Sequence, residues 1–92
     1  MIKYYIYIGS NNDTHTLQSK EAIAIISRYF EGFTAYEVIG YWKGSKENTL
    51  KVEVASDEAS TKVIRLCKEL KKELQQEAIL LEQVQSNIAF IQ

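Results

Sequence analysis

Short segments whose apolar residues recur at every second position, two longer ones whose apolar residues recur at every third or fourth, and the order in which they alternate predict an α+β sandwich. The order is βαββαβ, the ferredoxin-like arrangement: a four-stranded antiparallel sheet with two helices on one face. A chain of 92 residues holds one hydrophobic core, since domains cluster around ~100–150 residues. Residues 1–92 are therefore read as a single α/β sandwich domain.

Between Ile2 and Ile8, the residues Ile2, Tyr4, Ile6 and Ile8 alternate with Lys3, Tyr5 and Tyr7, the period of a strand with two unlike faces. Gly9 to Thr16 is polar, and its Ser, Asn, Asp and Thr side chains compete for backbone hydrogen bonds, which favours a loop ending in a helix cap. From about Leu17 to Phe30, Ala22, Ile23, Ile26 and Phe30 form a helical stripe, and Gly32 stands where a left-handed residue commonly ends a helix. Phe33 to Lys43 is rich in aromatic and β-branched residues. From Asn48 to Val54, Leu50, Val52 and Val54 alternate with Thr49, Lys51 and Glu53, and a Gly44-Ser45 turn joins the two segments into a hairpin.

Ser56 and Asp57 offer cap oxygens, Glu58 adds negative charge to a first turn, and Ala59, Val63, Leu66, Cys67, Leu70 and Leu74 form the stripe of a second helix. Residues 76–91 fit either a last strand or a continuation of that helix through Leu81, Val84 and Ile88; the strand is preferred, because so long a helix is unusual in so small a domain. The third strand is expected between the first and second, with a right-handed first crossover.

A net charge of −1 and a pI near 5.8 give no general attraction to phosphate backbones, so nucleic acid is not an expected partner. Cys67 is the single cysteine; neither an intrachain disulfide nor a thiolate zinc cluster can form, and a reducing cytoplasmic setting is the simplest expectation. The apolar run near Met1 is too short to cross a membrane and lacks the features of a leader, so no membrane association is expected. Proline is absent, which leaves the sheet edges to be protected by another device or covered by a partner.

Phe30, Gly32, Phe33-Thr34, Gly40-Tyr41-Trp42-Lys43, Glu47 and Gln76-Glu77-Ala78-Ile79-Leu80 carry a resemblance. Through these Gly-x-Trp and Gln-Glu-x-x-Leu motifs, residues 30–91 resemble a bacterial family of short ferredoxin-like domains of unknown function. The resemblance implies the fold and brings no activity with it.

Candidate chemistry is sparse. His15, the single histidine, lies beside Asp13 and Thr14, where an imidazole can act as base or ligand, but the plainer reading is a solvated loop residue. One histidine makes a poor metal site, and neither metal nor cofactor is expected. A Cys67–His15 nucleophile pair is weaker still, because Cys67 belongs to an apolar stripe and buried thiols are inert. Gly9-Ser10-Asn11-Asn12 sits where phosphate loops sit but has one glycine and no Gly-Lys-Ser/Thr ending. Lys62, Arg65, Lys68, Lys71 and Lys72 interleave with Glu58, Glu69 and Glu73, which makes a soluble surface rather than a basic groove.

The aromatic residues say more. With Tyr4, Ile6 and Ile8 inward, Tyr5 and Tyr7 face away from the helices. Placing Glu37 outward on the second strand puts Phe33, Ile39 and Tyr41 outward and Tyr36, Val38 and Trp42 inward, although both faces of that strand are apolar. The open face is then a patch of Tyr5, Tyr7, Ile39 and Tyr41 rimmed by charge, the pattern of an interaction surface. The favoured reading is a non-enzymatic interaction or regulatory module that forms a homodimer through this face and binds a protein partner or a small effector. A second reading is a small enzyme or ligand-binding protein with an apolar pocket between sheet and helices, lined by His15, Tyr36 and Trp42. A third is a single-stranded nucleic-acid binder that stacks bases on Tyr5 and Tyr7, although the signature of RNA-recognition domains is missing.

Overall fold

The fold comes from a computed structural model that describes residues 1–11, 13–57, 60–89 and 91. The chain runs β1 (Ile2–Ile8), α1 (Ser19–Ser27), β2 (Thr34–Trp42), β3 (Ser45–Ser56), α2 (Ser60–Glu73) and β4 (Leu80–Gln85). The four strands form one antiparallel sheet in the order β2-β3-β1-β4. The ferredoxin-like α+β fold is thus as expected, with the third strand between the first and second and a strand, not a longer helix, after α2. Glu58 and Ala59, expected in the first turn of the second helix, and Asn12 of the first loop lie outside the described residues.

One layer of core joins sheet and helices. Tyr4, Ile6 and Ile8 of β1 and Leu50, Val52 and Val54 of β3 are buried against Ala22, Ile25 and Ile26 of α1 and Val63, Leu66 and Leu70 of α2. Full burial of such side chains is worth about 1.5–3 kcal/mol each, which is what binds two short helices to the sheet. The apolar face of α1 differs from the expected stripe: Ile25 is buried and Ile23 is exposed, because the inward set from Ala22 runs through i+3, i+4 and i+8 to Phe30. No helix among the described residues is long and apolar enough to cross a membrane.

The helix ends use other residues than glycine. Gly32 does not take a left-handed conformation, and Gln75 does, with φ 52°. Gln76 N donates to the Lys71 carbonyl at 3.0 Å and Gln75 N to the Lys72 carbonyl at 3.4 Å, the paired bonds that close a helix around a left-handed residue. The chain leaves α2 in a direction set by this cap, and that direction places residues 76–79 beside the end of β1.

The hairpin turn is Lys43-Gly44, one residue earlier than expected. Both residues have positive φ, 50° and 78°, as a two-residue turn matched to the twist of paired strands requires. β2 and β3 then pair without interruption from Thr34↔Glu53 to Trp42↔Ser45.

That register reverses the expected faces of β2. Tyr36 lies opposite Lys51 and Val38 opposite Thr49, whereas Ala35 lies opposite the buried Val52. Paired residues share a face, so Tyr36, Val38 and Trp42 stand on the open side with Tyr5 and Tyr7, and Phe33, Ile39 and Tyr41 turn to the helix side. Phe33 and Ala35 pack against the core there. Farther along, the strand outruns the helices, and Ile39 and Tyr41 remain 57% and 74% exposed. The expected patch of Tyr5, Tyr7, Ile39 and Tyr41 is therefore split between two faces.

Gly44→Ala should destabilise the protein by about 1 kcal/mol, because a side chain at that positive φ is strained. Gly32→Ala, with no heavy atom within 4 Å of the added carbon, should stay within about 0.5 kcal/mol of the parent. Equal urea midpoints for the two variants would contradict this account of the turn.

Candidate functional site

The open face of the sheet has two zones. Over its middle, Lys51 Nζ lies 4.8 Å from the Tyr5 ring, 5.4 Å from Tyr7 and 5.8 Å from Tyr36. Tyr36 donates its hydroxyl hydrogen to Glu53 at 2.6 Å, Lys3 pairs with Glu53 at 2.9 Å, and Tyr7 donates to Glu82 at 3.2 Å. The Tyr36 hydroxyl and then Lys3 hold the Glu53 carboxyl below its usual range, and the same bond to Glu53 raises the Tyr36 phenol. The zone is a closed mesh of charge and aromatic rings rather than a bare apolar patch.

At one end of the sheet the mesh gives way to a cleft of about 310 Å³. Tyr7, Gly9 and Ser10 line it from the end of β1, Gly40, Tyr41 and Trp42 from the end of β2, and Glu47 and Thr49 from the start of β3. Residues 76–79, between α2 and β4, and Leu80 at the start of β4 close the remaining side. The cleft lies on the sheet end and its connections, not between sheet and helices.

Three ties hold these segments together. Gln76 Nε2 donates to the Ser10 carbonyl at 3.1 Å, and Ser10 Oγ donates to the Asn48 carbonyl at 3.0 Å. Asn11, nearly buried, receives the Asp13 and Thr14 amides on its side-chain oxygen at 2.8 and 3.0 Å and donates to the Leu74 carbonyl at 3.4 Å. An asparagine able to accept and donate at once suits a loop that must turn and also dock on a helix end. At the rim, Trp42 Nε1 donates to Glu77 at 3.1 Å and Lys43 forms an ion pair with the same carboxylate. Lys43 and then Trp42 hold the Glu77 carboxyl below its usual range.

Glu47 differs from Glu77. It is half-buried, its carboxylate lies against Gly9, and among the described residues it has neither a hydrogen-bond nor an ion-pair partner. An unpaired carboxylate between aromatic walls is suited to a cation attached to a flat ring system, since the charge attracts the cation and the ring faces add cation–π attraction.

Of the expected ligand-binding residues, Trp42 lines the cleft; Tyr36 is held in the mesh, and His15 is exposed in the first loop at φ 58°. Tyr7 and Tyr41, expected at an interface, line the cleft as well. Composition and periodicity gave no sign of Glu47, Gln76 and Glu77; all three belong to the motifs of the family resemblance, which implied the fold and assigned them no role. Burial pushes the Cys67 thiol up to about 11, which removes it as a nucleophile at neutral pH. Among the described residues no three His, Cys, Asp or Glu side chains gather as a metal site.

The Glu77 clamp should depend on pH. A carboxyl whose folded-state pKa is depressed contributes stability that is fully present above its unfolded value, near 4.5, and is lost as pH falls through the lower folded value. Trp42 is the only tryptophan, so its fluorescence should change with a midpoint below 4.5 and show no such transition in Glu77→Gln. A transition that survives the substitution would assign it to another group.

The model of the S-adenosylmethionine lyase family matches residues 8–92. Among curated proteins, none matches the chain. Among solved structures, a phage S-adenosylmethionine lyase in its apo state is similar over 90% of this chain and 78% of its own, at 23% identity and a TM-score of 0.74. A phage lyase in complex with S-methyl-5′-thioadenosine is similar over 90% of this chain and 79% of its own, at 22% identity and a TM-score of 0.61. A DUF3240 family protein from Shewanella baltica shares 11% identity over 98% and 97% of the two chains, at a TM-score of 0.66. At such identities the structural likeness shows the fold alone. The family match goes further and overturns the expectation of a non-enzymatic module, because a family of lyases is a family of enzymes. It also replaces the uncharacterised short-domain family with a more specific one: matched over all but residues 1–7, the chain belongs to the S-adenosylmethionine lyase family.

Proposed function

We propose that the protein cleaves S-adenosylmethionine in the cleft at the sheet end and releases S-methyl-5′-thioadenosine. The observation that carries this reading is the unpaired Glu47 carboxylate in a cleft walled by Tyr7 and Trp42. The substrate is a flat nucleoside joined to a positively charged sulfonium and an ammonium group, the chemistry such a cleft suits. In this reading the aromatic rings hold the nucleoside and the neighbouring positive charge, and Glu47 attracts a cationic group of the substrate. The family assignment, and the product bound to the similar phage enzyme, support the reaction.

Release of S-methyl-5′-thioadenosine means that the bond between sulfur and the γ-carbon of the methionyl chain breaks. The electron pair goes to sulfur, which passes from sulfonium to neutral thioether, while the carboxylate of the same methionyl chain bonds to the vacated γ-carbon and closes a lactone, so atoms and charge balance without water or a base. That leaving group needs no proton, so no acid has to face it. The cleft has only to grip the cation in a reactive shape and keep water away. Once sulfur is neutral, its attraction to a carboxylate and to ring faces falls, which favours departure of the product.

Self-association belongs to the same reading. Tyr41 and Leu80, which line the cleft, are 74% and 62% exposed, and a further copy of the chain covering them would shield the cleft from water. The absolute mass in solution, measured with and without S-adenosylmethionine, tests this; a monomer under both conditions contradicts it.

Incubation of the protein with S-adenosylmethionine should produce S-methyl-5′-thioadenosine, detected by liquid chromatography. Glu47→Gln should lower kcat/KM about 10- to 100-fold, since a hydrogen bond to a charged group is worth about 1.5–3 kcal/mol. Trp42→Ala should raise KM with kcat less affected. No product from the parent protein, or full activity in Glu47→Gln, would overturn the assignment.

A further inference from the structure

We infer that Gly9 is a positioning residue for the proposed site: its missing side chain is the seat that holds the Glu47 carboxylate at the cleft. The inference rests on the reading of the cleft as an S-adenosylmethionine site. A β-carbon placed on Gly9 would lie 2.6 Å from Glu47 Oε1, 3.0 Å from Cδ and 3.1 Å from Oε2. Oε1 therefore occupies volume that a β-carbon would need, and Cδ and Oε2 press closely against it.

The backbone does not need a glycine at this position. Gly44 is the glycine with positive φ, and Gly9 has a conformation open to ordinary residues. Glycine weakens strand ends and leaves the unfolded chain freer, so where the backbone does not require it the close approach of another group is the physical reason for it. Gly40 repeats the pattern on the other side of β3, where a β-carbon would lie 2.6 Å from Thr49 Oγ1. Glu47 and Thr49, two residues apart on the outward side of β3, thus each lie over a glycine, Gly9 just beyond the end of β1 and Gly40 of β2. The floor of the cleft stays at backbone height, and the carboxylate lies down along it instead of standing in the cavity.

No hydrogen bond or ion pair among the described residues fixes Glu47, so this steric seat is what selects its position. A methyl group at residue 9 would lift the carboxylate into the space proposed for the substrate. The fold should tolerate that change, because the atoms displaced are the free end of a flexible side chain.

The test is a double-substitution cycle. Gly9→Ala should raise the KM for S-adenosylmethionine about tenfold or more while kcat changes less than about threefold and the unfolding midpoint stays that of the parent. Gly32→Ala, which adds the same methyl group in open space, should behave as the parent. In a Glu47→Ala background, Gly9→Ala should have less than about a twofold further effect, because a residue that acts through Glu47 has nothing to position once it is gone. A parent-like KM for Gly9→Ala, or the same loss in both backgrounds, overturns the inference. A parent protein that neither binds nor cleaves S-adenosylmethionine instead sinks the functional reading. The seat is then read by NMR from the contacts of the Glu47 side chain: nuclear Overhauser effects between the Glu47 γ-protons and residue 9 that are present in the parent and in Gly32→Ala and altered in Gly9→Ala support it, and the same pattern in all three overturns it.

Discussion

The pairing of β3 with a neighbour on each side, β1 and β2, is the constraint on which the rest of the structure depends. Three features hold its register. Leu50, Val52 and Val54 must face the helices, the two-residue Lys43-Gly44 turn fixes the offset to β2, and seven consecutive pairs fix the offset to β1. A slip of one residue would send every inward side chain to the open face, so the core and the outward side of β3 are set by one choice. That choice places Lys51 among three tyrosines and lays Glu47 and Thr49 over Gly9 and Gly40.

Stability and site geometry are divided between different interactions. The apolar layer supplies the stability, whereas the ion pairs of Lys3, Arg28 and Lys43 are partly or largely exposed, where such pairs contribute little. The ties that shape the cleft are local and directional: the left-handed cap at Gln75, the side chains of Asn11 and Gln76 on backbone carbonyls, and Glu77 shared by Trp42 and Lys43. The cap turns the chain within one helix end, the other ties join segments far apart in sequence, and all of them leave the Glu47 carboxylate unpaired. A protein whose proposed substrate is a cation gains from a carboxylate that no lysine of its own neutralises.

The chemistry proposed for the cleft explains why the enzyme reading was not favoured from the sequence. The sequence carries no convergent acid, base, nucleophile or metal set, the features that ordinarily mark a small enzyme. A sulfonium carries its own leaving-group activation, so a site that breaks its carbon–sulfur bond can consist of aromatic walls and a single carboxylate. Glu47 is one of twelve acidic residues, and nothing in composition or periodicity distinguishes it from the others. The family match, which rests on most of the chain together, is what separates this chain from other small sandwiches of the same topology.

By itself the sequence determined the order of elements and the inward faces of β1, β3 and α2, because a strand or helix with one wet and one dry side records that difference in its residue pattern. For residues 76–91 it gave only a preference for a strand over a longer helix, and the structure decided for the strand, Leu80–Gln85. Tertiary structure alone decided the faces of β2, where Tyr36, Val38, Ile39, Tyr41 and Trp42 make both sides apolar and only the register to β3 chooses between them. It alone decided the cleft as well, because Gly9, Trp42, Glu47 and Gln76 come together through strand pairing and a helix cap. Proximity across a sheet leaves no periodic trace along the chain.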